Sequence, residues 1–202
     1  MTRQAVPAFV LASGSPGRLR VLQQAGIDPE IVVSGADETA GPGLGTAGLV
    51  TVLAERKAAA VAAQRPDALV LGCDSLLDLD GEALGKPASP EQAAAMWHRL
   101  AGRQATLFTG HCLISPGGRR VRDVAATAVR FGRPTGEELA AYVATGEPMQ
   151  LAGAFSIEGR GAPFLDGIDG DAGNVIGLSL PVLRRMLAGI GLSITDLWRS
   201  TG

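Results

Sequence analysis

Asp74 is the carboxylate whose position most needs a reason. It follows Ala68 to Cys73, the most apolar run of this chain, and a charge there costs desolvation unless it is paired or used. Asp37 and Glu38 also stand just past a strand-like segment. In a phosphate site one carboxylate can take a proton from an attacking water while another helps hold Mg²⁺. Turn capping is the plainer reading, and it suits Asp37 better than Asp74.

Ser13-Gly14-Ser15-Pro16-Gly17-Arg18 offers a place for the phosphate. It joins an apolar strand, Phe9 to Ala12, to a helix that Ser15 caps and Pro16 opens. Free backbone N–H groups and the positive end of the helix dipole then face the crevice beyond the strand. An ordinary N-cap would explain Ser15 but not Ser13 and Arg18 as well. Gly81 to Lys86 has one residue too few between its glycines for a P-loop, and Pro87 stands where a metal-holding hydroxyl is needed. Lys86 in its Gly-Lys-Pro turn can still meet a phosphate as a point charge, or be a solvated surface lysine. Gly43 to Gly48 has the G-x-G-x-x-G spacing, but it lies too far behind a strand for a dinucleotide turn and reads as a loop. His98 and His111 have no ligand spacing to each other or to the cysteines, which argues against zinc.

The elements that must position these residues alternate between the two periods. Ile31 to Ser34 reads as a strand, Leu49 to Ala63 as a helix, and Ala68 to Cys73 as a strand ending at Asp74-Ser75. Leu76 to Leu84 reads as a hairpin turning at Asp80-Gly81. Ser89 to Gln92 and Thr135 to Glu138 are capping boxes opening helices. Thr106 to Ser115 and Arg119 to Phe131 form a second hairpin across Pro116-Gly117-Gly118. Short strands are expected around Leu151 to Ile157 and Ala162 to Leu165, and a last helix after Ser179. This predicts an α/β fold with a mixed sheet and no sharp linker, so residues 1–202 form a single domain with two lobes.

Composition limits the partners. The 202 residues are 46% hydrophobic, against disorder, and 18 basic against 20 acidic side chains give a net charge of −2. That offers no bulk field for a nucleic-acid polymer, while a small anion in a local basic pocket stays open. No apolar run approaches the ~18 residues of a membrane span. Cys73 and Cys112 lie in apolar runs and read as buried hydrophobes rather than a disulfide framework. With no secretory pattern at the start, the expectation is a cytoplasmic protein.

The ordered set of stretches resembles the Maf family of nucleoside-triphosphate pyrophosphatases, also described as septum-formation inhibitors. They are Leu11 to Arg18, Asp37-Glu38, Glu55 to Ala58, Cys73-Asp74-Ser75, Asp80-Gly81 with Gly85-Lys86-Pro87, Ala101-Gly102-Arg103, Tyr142 to Glu147, Ala152 to Phe155, Glu158-Gly159 and Asn174 to Leu178. The resemblance implies a Maf/ITPase-like α/β fold: an elongated mixed β-sheet with flanking helices and two lobes around a cleft. It implies hydrolysis of a nucleoside triphosphate to monophosphate and pyrophosphate with a divalent cation, Mg²⁺ or Mn²⁺. Asp74 falls on the proposed proton acceptor and, with Glu38, on the metal side. Lys57 and Lys86 fall on basic catalytic positions. Ser13, Ser15, Arg18, Ser75, Arg103 and Glu158 fall on the substrate-binding side. Family members are commonly dimeric, so a homodimer is expected, and roles in division arrest and in cleansing the nucleotide pool are implied.

The pattern is broken at a few places. Gly17 replaces the first Arg of Ser-Pro-Arg-Arg. Met149-Gln150-Leu151 replaces an Asp-Lys, so a substrate-facing lysine is missing at Leu151. Glu158 replaces a Gln, and a His is replaced near Ala105. Ala152 to Ser156 and Glu158-Gly159 look closer to the branch acting on 7-methylated guanosine triphosphate, which favours a modified or methylated substrate over dTTP or UTP. The missing Lys and His also motivate a second reading, a nucleotide-binding regulator of cell division that has lost catalysis. A dinucleotide-dependent oxidoreductase resting on Gly43 to Gly48 is a third.

Overall fold

The computed structural model describes residues 7–39 and 43–199. Its centre is one seven-stranded mixed sheet in the order β2-β1-β3-β5-β6-β7, with β4 paired to the far end of β3. β1 (Phe9–Leu11) is parallel to both β2 (Glu30–Ile31) and β3 (Leu69–Leu79). β4 (Glu82–Leu84), β5 (Gln104–Ile114), β6 (Arg120–Phe131) and β7 (Leu165–Asp169) add antiparallel pairs. The helices are α1 (Pro16–Gln24), α2 (Thr46–Ala62), α3 (Pro90–Leu100), α4 (Gly136–Ala144), α5 (Ala172–Ile176) and α6 (Leu180–Gly189).

β3 is one strand where the sequence suggests two. It runs straight through Asp74 and Ser75, because both side chains have somewhere polar to go. On its outer edge β1 pairs only with residues 69–71 and β4 only with residues 77–79. Among the described residues that edge has no strand partner between them, and the sheet has a notch beside Asp74 and Ser75.

Side chains alternate across β3 with period two. Leu69, Leu71 and Cys73 pack with α1 and α6 in one core. Leu77 and Leu79 face the same side but belong to a second core, built on α3 and α4 around Trp97, Phe131, Tyr142 and Phe155. Trp97 meets Phe131 and Tyr142 edge-on, with ring centroids 5.5 and 5.9 Å apart. Ser75 sits between the two cores. The opposite face carries Val70 and Cys112 under α2. There Gly72 and Gly110 let the helix lie directly on the strands: a Cβ at either would come within 2.3 Å of a helix carbonyl oxygen, that of Ala54 or Val50.

Several local expectations hold. Ser15, Ser89 and Ser179 each cap a helix with Pro in its first turn. Thr135 and Glu138 make a complete capping box, whereas Gln92 turns its amide oxygen to Ala88 N instead. The β3–β4 turn is Asp80-Gly81, both with positive φ. Cys73 and Cys112 are buried free thiols, each pushed up to about 12 by burial.

Others need correction. α2 begins at Thr46, with Gly48 already inside it, and β2 ends at Ile31. The two short strands expected between Leu151 and Leu165 are 3₁₀ turns (Glu147–Gln150, Ala152–Ala154 and Gly159–Phe164). Gly153 and Ala154 adopt φ of 69° and 59° there, which breaks an extended path. Among the described residues no helix is long and apolar enough to cross a membrane.

Candidate active site

The notch in the sheet opens into a cavity of about 910 Å³, within the range of small-molecule sites. Ser13, Ser15, Arg18, Glu38, Lys57, Asp74, Ser75 and Lys86 all line it. They arrive from five separate parts of the chain.

Asp74 points to the α2 side of β3. The close seating of α2 over Gly72 and Gly110 brings Lys57 down on it, Nζ donating to Asp74 Oδ1 at 2.5 Å. The same ammonium lies 2.7 Å from Glu38 Oε1. Asp74 is only 7% exposed, so this partner offsets its desolvation. Glu38 reaches in from the loop after β2. Its carboxyl is held below the usual carboxylate range, first by the hydrogen bond from Lys57, while burial opposes and the charges of Lys57, Lys86 and Arg18 assist. Arg56, one residue before Lys57, bonds the carbonyls of Asp37 and Thr39 on either side of Glu38.

The other wall is the start of α1. Ser15 Oγ accepts from Arg18 N. Ser13 Oγ accepts from Ser15 N at 3.2 Å and from Arg18 Nη1 at 2.9 Å. Arg18 also donates from Nη2 to Ser75 Oγ at 3.1 Å and from Nε to Gly177 O at 2.9 Å. Its guanidinium is thereby fixed before any ligand arrives. Gly17 has a local reason: a Cβ there would stand 3.0 Å from Ile176 Cγ2.

Arg103 and Glu158 are not brought to the cavity wall. Arg103 pairs with Asp80 at the exposed β3–β4 turn, and Glu158 pairs with the exposed Arg20. Ala105 is buried in the aromatic core. Phe155, Val175 and Ile176, from the stretches named above, lie on the wall beside Gln150 and Leu151, and residues that the motifs did not single out complete it: Leu49, Leu53, Leu76 and Leu107 are apolar. Their signal was only hydrophobicity, which a buried core shares.

The sequence matches the family described as Maf-like protein over residues 8–190. The chain belongs to the Maf family. A relative from Streptomyces coelicolor named "Nucleoside triphosphate pyrophosphatase" is 58% identical, covering 98% of this chain and 98% of that protein. One of the same name from Mycobacterium sp. (strain JLS) is 52% identical over 94% of this chain and 97% of its own length. Similarity to the solved Staphylococcus aureus Ham1 protein is looser: TM-score 0.45, 18% identity, 61% of this chain and 71% of that one.

In this Maf chain the Asp-Lys pair expected from the resemblance is replaced on the wall itself, because Gln150 and Leu151 both face the cavity. That wall therefore has a neutral amide and a hydrocarbon where a carboxylate and a lysine were expected.

Proposed function

We propose that this hydrolase, a nucleoside triphosphate pyrophosphatase, cleaves its substrate between the α- and β-phosphorus by in-line attack of a water that Asp74 orients and deprotonates. The observation that carries the reading is the convergence of Asp74, Glu38 and Lys57 opposite Arg18 and the α1 start across one cavity.

Phosphate is held by Arg18, Lys86, the hydroxyls of Ser13 and Ser15, and the Gly17 N–H at the start of α1, while Ser75 accepts from Arg18 and so holds it in place. Arg18, Ser13 and Ser15 are held by hydrogen bonds of the fold itself, and such fixed donors stabilise charge that develops as the bond breaks. Lys57 keeps Asp74 aimed, and ties Glu38 to the same point. The apolar walls beside Phe155 and Leu107 suit a base.

Mg²⁺ or Mn²⁺ fits the donor set. Glu38 and Asp74 supply hard oxygen ligands that already meet at one cation, the Lys57 ammonium. Among the described residues no group of three or more His, Cys, Asp or Glu forms an all-protein cage. Mg²⁺ does not need one, since it commonly uses one or two carboxylates together with substrate phosphates and water. When bound, the cation neutralises phosphate charge and favours departure of pyrophosphate.

The neutral wall at Gln150 and Leu151 supports a modified or methylated nucleoside triphosphate as substrate. A cytoplasmic homodimer acting on the nucleotide pool, with a role in division arrest, is the setting the resemblance implies. The test is a panel of standard and methylated triphosphates, with and without Mg²⁺ or Mn²⁺, assayed for pyrophosphate and for phosphate. Metal-dependent pyrophosphate with the matching monophosphate is expected. Stepwise release of phosphate would contradict the assigned bond.

A further inference from the structure

A polar row crosses the inner face of the sheet between the two apolar cores. Ser75 on β3 and Thr109 on β5 are direct cross-strand partners. Thr127 on β6 and Asn174 on α5 continue the row, and Thr109, Thr127 and Asn174 are buried. Flanking positions are apolar: Cys73 and Leu77 beside Ser75, Ala125 and Val129 beside Thr127. A valine at 109 would fill nearly the same space with no polar group to satisfy, so the hydroxyl calls for a reason.

Proton accounting supplies one. Thr109 Oγ1 lies 3.1 Å from Asn174 O, which can only accept, so the single hydroxyl proton of Thr109 goes there. The 2.9 Å contact between Ser75 Oγ and Thr109 Oγ1 must then be donated by Ser75. That leaves the lone pairs of Ser75 Oγ for Arg18 Nη2, at 3.1 Å. The chain has one direction, from the Arg18 guanidinium through Ser75 and Thr109 to a carbonyl of α5. Arg18 Nε meets Gly177 O, just past α5, so two of its three anchors lead to the same short segment. Gly177 has φ +119°, and a Cβ there would stand 3.1 Å from Arg18 Nε. Asn174 is held in turn, its Nδ2 donating to Leu107 O at 3.1 Å and Thr127 Oγ1 at 2.9 Å.

We propose that Thr109 is a positioning residue for the hydrolysis: it sets the hydroxyl of Ser75 and, through it, the Arg18 guanidinium at the phosphate end of the cavity. This rests on the reading above that Arg18 holds a substrate phosphate. Thr109 touches no substrate. It decides which way the Ser75 hydroxyl points, and so keeps an acceptor, rather than a competing proton, facing the arginine.

The experiment is a double-mutant cycle on the full chain, read as pyrophosphate release from the best triphosphate of the panel. Thr109→Val should lower kcat/KM about tenfold, as expected for weakening a hydrogen bond to a charged group. The loss should fall on KM, with an unchanged fold by circular dichroism. Thr109→Ser keeps the hydroxyl and should restore kcat/KM to within about twofold of the parent. In an Arg18→Gln background Thr109→Val should add no further loss, because the two act as one unit. Should Thr109→Val fail to fold, Ser75→Ala cuts the same relay and should be equally non-additive with Arg18→Gln. A silent Thr109→Val in an active, folded enzyme, or losses that multiply across the cycle, would overturn the proposal alone. A parent that releases no pyrophosphate from any triphosphate overturns the functional reading as well.

Discussion

Lys57 Nζ lies 2.5 Å from Asp74 Oδ1, with both side chains nearly out of solvent, at 12% and 10% exposure. Glu38 joins the same ammonium at 2.7 Å from a far more open position. The pair is thus asymmetric: one carboxylate depends on the lysine for its place in the fold, and the other depends on it mainly for its aim.

Removing the lysine should therefore cost both stability and rate. Lys57→Met leaves Asp74 buried without its cation, a loss on the order of 3 kcal/mol for a broken buried pair. Urea denaturation should show that loss, and pyrophosphate release should fall by at least about a hundredfold, as for removal of a group that sets transition-state charge. Asp74→Asn should be less destabilising than Lys57→Met, since an amide needs no counter-charge.

Lys86 and Arg103 are predicted to separate. Lys86 is an exposed residue on the cavity wall, and its charge acts on Glu38. Lys86→Ala should raise KM about tenfold for a lost charged contact while leaving the melting temperature within error. Arg103 is tied to Asp80 at the surface. Arg103→Ala should leave kcat/KM within about twofold, since exposed ion pairs contribute little. Steady-state kinetics on the two variants side by side decide it, and equal losses would return Arg103 to the site.

The sensitivity to acid should be set partly by His111. Its Nε2 accepts from Ser179 N at 2.9 Å, and Nδ1 faces Thr109 O at 3.1 Å, which requires the neutral ring with the proton on Nδ1. Burial pushes its pKa down to about 4, with the Arg18 charge adding to the shift. An unfolded chain takes up that proton near 6.5, so stability present above that pH is lost as pH falls toward about 4. Between pH 7.5 and 5 the loss should be on the order of 2 kcal/mol. Thermal melts across that range should fall for the parent and flatten for His111→Gln.

The parts of this fold that were readable from sequence are those whose chemistry is local. A serine before a proline caps a helix wherever it stands, so the starts of α1, α3 and α6 were legible. Asp-Gly turns a hairpin for its own backbone reasons. What was not legible depends on distant neighbours. Asp74-Ser75 looks like the end of a strand until the notch between β1 and β4 is seen. Gly153 and Ala154 interrupt an apolar stretch by a left-handed turn, and a Cβ at Gly153 would meet Leu77. α5 has only five residues, too few to show a helical period, yet it carries Asn174 and borders the cavity through Val175 and Ile176. Gly72 and Gly110 are unremarkable in sequence, and they are what lets Lys57 reach Asp74.

If Asp74 activates the water that splits the triphosphate, as proposed, loss of its carboxylate should stop the chemistry and spare the fold. The direct measurement is metal-dependent pyrophosphate release by Asp74→Asn, beside the parent, after circular dichroism has shown that the variant is folded. A fall of at least about a hundredfold in kcat is expected, the size of a lost general base. A folded Asp74→Asn that releases pyrophosphate at the parent rate would contradict it.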